Sequence, residues 1–155
     1  MEILHLPNFA WYLIAGAIGA FCLSMGRFAG QKFIPHFPDM PLLLSRLVDW
    51  GKPEPKRAAR IMGTYFHLGT GALWGLAFGL LTEKQFFFVE FTAVSGMLFS
   101  IIPWLFLMII LFPILREGFF GLKISPHQWF FALLLHLLYG AVMGILLSLF
   151  IPVKF

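Results

Sequence analysis

Four long apolar stretches alternate with short polar segments along the chain, at about 9–29, 61–81, 87–114 and 129–153. Each stretch has the roughly 20 residues that an α-helix needs to cross the hydrocarbon core of a bilayer. The longest polar segment, 30–60, has too few apolar residues for a second hydrophobic core. The pattern predicts an all-α integral membrane protein with four transmembrane helices, folded as a single transmembrane domain over residues 1–155.

The 30–60 loop contains one apolar run with helix signals at both ends. Asp39 can cap a helix, Pro41 suits its first turn and Gly51 can end it. Between them lie apolar residues at 42–44, 47, 48 and 50. We therefore expect a short interfacial helix along the cytoplasmic face of the membrane.

Two of the apolar stretches carry the same series of small residues with one histidine, every member four residues from the next. A spacing of four places each series on one helix face and makes it a surface on which another helix can pack closely. The two series align at an offset of 69 residues, which pairs His67 with His136 and predicts a parallel duplication of a two-helix unit. The helix-packing residues of the series are Gly63, Gly71, Gly75 and Gly79 in one, and Ala132, Gly140, Gly144 and Ser148 in the other.

Composition and charge add an orientation. The chain is 60% hydrophobic and 12% charged, and its net charge of +4 suits anchoring to anionic lipid without any nucleic-acid partner. Positively charged residues are concentrated in the first and third connections, which the positive-inside rule places in the cytoplasm, with both termini on the other side. These residues are Lys32, Arg46, Lys52, Lys56, Arg57 and Arg60 in the first connection, and Arg116 and Lys123 in the third.

The paired histidines are the candidate chemical groups, and three interpretations stay open. Each imidazole can hydrogen-bond a neighbouring helix and fix the packing of the bundle. His67 and His136 can instead ligate a b-type haem, or a chlorophyll magnesium. They can also relay protons, with Glu90 as a further candidate near the end of its span. The single cysteine, Cys22, lies within the first span and excludes a disulfide or a thiolate cluster within one chain.

Motifs of enzymes are absent from the sequence: there is no glycine-rich phosphate loop, no G-x-S-x-G elbow and no H-E-x-x-H. We therefore expect a non-catalytic accessory subunit of a larger membrane complex, respiratory or photosynthetic, that binds partner helices and lipid through its small-residue faces. A homo-oligomer is compatible with the same faces. The alternative is a small membrane cytochrome or pigment protein that uses His67 and His136.

The His-x-x-x-Gly-x-x-x-Gly pattern at 67–75 opens the second span, and a Gly- and Ala-rich first span is followed by a loop with proline and aspartate. With the four-span length, these features resemble the small uncharacterised bacterial inner-membrane proteins of the YagU-like kind. The resemblance implies a multi-pass location in a bacterial inner membrane and carries over no catalytic residue.

Overall fold

The computed structural model describes residues 7–31, 39–47 and 56–151, and within these ranges the chain is helical with no β-strand. Its elements are α1 (Asn8–Gln31), α2 (Met40–Ser45), α3 (Lys56–Glu83), α4 (Ala93–Phe106), a π-helical turn (Leu107–Leu111), α5 (Phe112–Ile114), a 3₁₀ turn (Phe119–Gly121) and α6 (Gln128–Phe150). Three helical stretches are long and apolar enough to cross a membrane: Asn8–Gly30, Ala93–Ile114 and Gln128–Phe150. This is the composition of a membrane protein.

The helix boundaries place one predicted span inside a longer helix and move the start of another. The second predicted span, 61–81, is part of the longer helix α3, which begins at Lys56. The third begins at Ala93 and not at residue 87, because Thr92 and Ser95 form a reciprocal capping box that starts α4. Residues 87–91 therefore lie in the loop before it. The last predicted span ends at Phe150 in α6, and residues 152–155 fall outside the described part of the chain.

Glycines bring the helices together in two antiparallel pairs. In the first pair, a Cβ added to Gly16 of α1 would lie 2.8 Å from the Cα of Gly75 of α3, and Gly71 meets Ala20. In the second pair, Gly96 and Ser100 of α4 meet Gly140 of α6 in the same manner. A side chain at any of these glycines would overlap the facing helix, so both pairs depend on the close backbone approach that small residues permit.

The contacts between the two helix pairs are unevenly distributed. Helix α1 also packs against α6, where Gly19 lies under the Tyr139 ring, whereas α3 and α4 barely touch through their backbones. At the end of the bundle where α3 finishes and α4 starts, which we call the far end, aromatic side chains fill the space between these two helices. Phe78 of α3 is fully buried there, with its ring centroid 5.1 Å from that of Phe99 on α4.

Helix α2 lies at the opposite end, which we call the α2 end. Asp39 caps it through the Leu42 backbone N–H at 3.3 Å, and Pro41 occupies its first turn, as predicted from the sequence. The helix packs against the end of the bundle, and its place along the membrane face stays a prediction. Met40, Leu43 and Leu44 are buried, and Met40 and Leu43 share an apolar cluster with Met108 and Phe112. Pro41 packs directly on Gly63 of α3, where a Cβ would collide with the Pro41 carbonyl. The helix ends at Ser45, and residues 48–55 lie outside the described ranges.

Helix α4 changes its hydrogen-bonding pattern before it reaches the α2 end. Pro103 lies inside α4, and the following π-helical turn is closed by the Phe112 N–H donating to the Leu107 carbonyl. Pro113 then lacks the N–H that would continue the regular pattern. Widened turns of this kind shift side chains around the helix axis and are frequent at functional sites. Here the shift occurs beside a cavity between the helix pairs, which Pro103, Leu107 and Leu111 help to line.

Candidate functional site

A cavity of about 80 Å³ lies between α3 and α4 at the α2 end of the bundle. Every long helix contributes to its wall, and α2 covers it from the end of the bundle. Most of the lining is apolar, with Trp74 separating the cavity from the aromatic core of the far end. The polar or ionisable side chains among its lining residues are Arg27, His67, Thr70, Gln128, His136 and Tyr139.

Both predicted histidines line this one cavity, one from each helix pair. The Nδ1 of His136 hydrogen-bonds the Ala132 carbonyl oxygen, one turn earlier in α6, at 2.7 Å. The imidazole of His67 approaches the backbone of Ala20 on α1 and lies close enough to His136 to interact with it electrostatically. In His136 the backbone contact engages one ring nitrogen and leaves the other for a ligand.

A buried arginine is the third ionisable group of the cavity. Arg27 belongs to α1, and only 4% of its surface is exposed. Its Nη2 donates to Asp39 Oδ1 over a long 3.4 Å, whereas the exposed Arg60 donates to the other carboxylate oxygen of Asp39 at 2.8 Å. One carboxylate thus serves two guanidinium groups, and the buried guanidinium has the weaker contact.

Three neutral polar side chains complete the lining. The Tyr139 hydroxyl donates to the Gly71 carbonyl oxygen at 2.9 Å and so ties α6 to α3. The Thr70 hydroxyl donates back to Phe66 within its own helix at 2.7 Å. Gln128 is only 4% exposed, and its carboxamide makes no hydrogen bond with the described residues. Buried amides normally have partners, so this group is available to a ligand.

The remaining predicted site residues have other places. Gly71, Gly75 and Gly79 pack on α1, and Gly140 and Gly144 pack on α4. Ala132 is buried in the apolar cluster beside α2, while Ser148 is exposed and bonds its own helix at the Ile145 carbonyl. The glycine faces are therefore occupied by contacts within the chain, and they are no longer a reason to expect partner helices. The accessory role stays a prediction.

The other two candidate residues lie away from the cavity. Glu90 is exposed in the loop before α4, and Cys22 is half-buried in α1 without lining the cavity. Among the described residues no cluster of three or more His, Cys, Asp or Glu side chains can hold a metal ion. A metal at this site would therefore depend on the two histidines.

Sequence reasoning missed Arg27, Gln128 and Tyr139. A signal for Arg27 was present, because it is the sole Asp, Glu, Lys or Arg residue within Asn8–Gly30, and an ionisable residue inside a span is a functional candidate with a partner to be sought. Gln128 and Tyr139 gave no comparable signal. Glutamine at a span boundary and tyrosine within an apolar helix are both ordinary, and the cavity that they share forms only after folding.

The fold and the site define a helical membrane protein with a partly polar cavity between two glycine-packed helix pairs. The chain belongs to the family of unknown function DUF6789, whose model matches residues 9–153. No curated protein and no solved structure matches it. The family match does not show the expected YagU-like link.

Proposed function

We propose that this chain is a non-catalytic membrane protein that binds a small lipid-soluble molecule in the cavity between its two helix pairs. The observation that carries the proposal is the convergence of His67 and His136, 69 residues apart in sequence, on one mainly apolar cavity that also contains a buried arginine. Pockets with apolar walls and a few polar groups are the usual form of small-ligand sites.

The proposal takes α3 as a fourth membrane span. At 28 residues α3 is about 42 Å long, more than the roughly 30 Å of the hydrocarbon core. Its glycines, threonines and His67 make it less apolar than the other three long helices, yet it packs along α1 from Gly71 to Gly79. A helix so closely paired with α1 must share its membrane depth. By the positive-inside rule, the α2 end faces the cytoplasm of a bacterial cell, with both termini outside.

A duplication is supported by matching contacts in the two pairs. The offset of 69 residues relates Gly71 to Gly140 and Gly75 to Gly144. Each of these glycines meets small residues or backbone of the preceding long helix. Because α3 and α6 are both antiparallel to α1, they run in the same direction, as a parallel duplication requires. The shared face accounts for the position of both histidines on one cavity.

A b-type haem is the second candidate ligand, favoured by the geometry of the histidines. Ligating histidines usually donate their other ring N–H to a backbone carbonyl, which is the contact that His136 makes with Ala132. Size weighs against the porphyrin. A benzene-binding cavity measures about 150 Å³, and the cavity between α3 and α4 is about 80 Å³. A haem would require α3 and α4 to separate further, so a ligand with a narrow cross-section fits better.

The cavity can be filled without touching the glycine interfaces. Thr70 lines the cavity, whereas Thr64, on the same helix and with the same type of hydroxyl bond to its own backbone, does not. Thr70→Phe should abolish retention of the bound molecule through purification from native membranes, and Thr64→Phe should leave it unchanged. Retained molecules are identified by mass spectrometry of extracts from the purified protein. Equal retention by both variants, or none by the wild type, would contradict the proposal.

The haem alternative is decided by a spectrum of the same preparations. If haem is the ligand, the wild-type protein absorbs in the visible range and His67→Ala with His136→Ala abolishes the band. A colourless protein that retains another molecule supports a non-haem ligand. Loss of that molecule in Thr70→Phe then locates it in the cavity.

A further inference from the structure

We infer that the cavity ligand is a single-chain amphiphile with a carboxylate headgroup, such as a long-chain fatty acid, and that Arg27 binds the carboxylate. The inference rests on the proposed function and names its ligand class. Arg27, Gln128 and the gap between α3 and α4 carry it.

The charges at the α2 end leave a positive charge beside the cavity. Arg27 and Arg60 share the carboxylate of Asp39, and the shorter contact belongs to Arg60, which lies mainly in solvent. A guanidinium buried in an apolar environment is stable only when it is well compensated. Among the described residues, Arg27 makes one hydrogen bond, at 3.4 Å, for its five N–H donors. A ligand carboxylate in the cavity would give Arg27 the close ion pair that Asp39 does not provide.

Gln128 is an independent sign of a polar ligand group. Its side chain lines the same cavity, is 4% exposed and has no hydrogen-bond partner among the described residues. A carboxamide donates and accepts, so it can bond either a carboxylate oxygen or a water molecule held by one. Arg27 on α1 and Gln128 on α6 therefore place two polar groups with unused hydrogen-bonding capacity in a cavity that is otherwise mostly apolar.

The cavity has room for the headgroup and the start of one acyl chain. Its volume is about 80 Å³, so the rest of a long chain lies outside it. The backbones of α3 and α4 lie apart at this level, and their side-chain contact there is between Trp74 and Phe106, with ring centroids 5.9 Å apart. A chain can leave the cavity on the α2 side of that contact, past the half-exposed Phe66. The headgroup then lies at the α2 end and the chain continues into the surrounding lipid.

Binding can be measured by quenching of Trp74 fluorescence, because Trp74 lines the cavity. The probe is 9,10-dibromostearate, added to the full chain in non-ionic detergent, and its methyl ester is the neutral control. The acid should quench, the ester should bind at least about tenfold more weakly, and Trp74→Phe should remove the saturable component. Equal binding of acid and ester would contradict recognition of a carboxylate headgroup. It would still be compatible with another lipid-soluble ligand in the cavity. No saturable quenching by either probe would also overturn the inference, whereas the proposed function is judged separately by Thr70→Phe.

Two variants test the role of Arg27 in opposite directions. Arg27→Gln should weaken binding of the acid by about tenfold or more, while Arg46→Gln, an exposed arginine paired with Glu117 outside this cavity, should not. Asp39→Asn keeps a residue that can cap α2 but removes the competing carboxylate, so it should tighten binding. This second variant keeps the test decisive if Arg27→Gln does not fold. Unchanged or weaker binding in Asp39→Asn would overturn the assignment.

Discussion

The two ends of the bundle are built from the same paired helices but differ in what lies between α3 and α4. At the far end, Phe78 bridges to Phe99 and Phe91, with ring centroids 5.1 and 5.7 Å apart, and the space is closed. At the α2 end, the same gap is lined by His67, His136 and a buried arginine and remains a cavity. The comparison teaches that glycine packing within each pair fixes the bundle, while the side chains between the pairs decide where a ligand fits.

The largest expected effect comes from the glycine interfaces, on which both ends depend. Gly75→Leu should destabilise the protein by more than the ~1–3 kcal/mol of ordinary overpacking, because the new side chain collides with the backbone of Tyr12 and Gly16. Gly144→Leu should act similarly against Thr92 and Ala93. Thermal unfolding in detergent measures both. Gly69→Leu, with nothing within 4 Å of its Cβ position, is the control, and an equal loss there would contradict the pairing.

The cost in stability of removing an aromatic ring should differ between the two ends of the bundle. Phe78→Ala removes a fully buried ring at the far end and should cost about 3–5 kcal/mol. Phe66→Ala, on the same helix but 39% exposed at the cavity, should cost far less. Both are measured by unfolding of the purified protein. Equal costs would mean that the cavity end is as well packed as the far end.

Loss of the hydrogen bond that joins α6 to α3 should have a smaller effect on stability. Tyr139→Phe removes the buried hydrogen bond to the Gly71 carbonyl, which keeps its bond within α3, for a loss of about 0.5–1.5 kcal/mol. Tyr65, 73% exposed on α3, provides the matched substitution Tyr65→Phe, which should change the unfolding temperature little. A neutral result for Tyr139→Phe would remove this bond as a link between the pairs.

The extent of prediction from the sequence differs between these features. Long apolar runs determine helices, so α1 and α6 begin within a residue of their predicted starts. The start of α4 was missed because a local capping box at Thr92 overrides an apolar run. Glycine spacing predicted close packing but not which helix faces which, because that depends on contacts across the whole bundle. The same holds for α2, whose contact with Gly63 of α3 could not be predicted from the sequence.

The candidate site was partly predictable. The matching position of His67 and His136 in two repeated series indicated that they belong together, and both line one cavity. Arg27 could have been found as the lone charge inside a span, but its shared partner Asp39 lies in a separate element, and Gln128 is buried only because several elements close around it. Such groups are found from the folded structure.

The central claim, a ligand cavity between α3 and α4 at the α2 end, is tested most directly by a crystal structure of the wild-type chain grown from a lipid mesophase. The account predicts non-protein electron density between His67 and His136, reaching Arg27 and leaving between α3 and α4. Side chains of α3 and α4 packed against each other on the α2 side of the Trp74–Phe106 contact, with no such density, would contradict it.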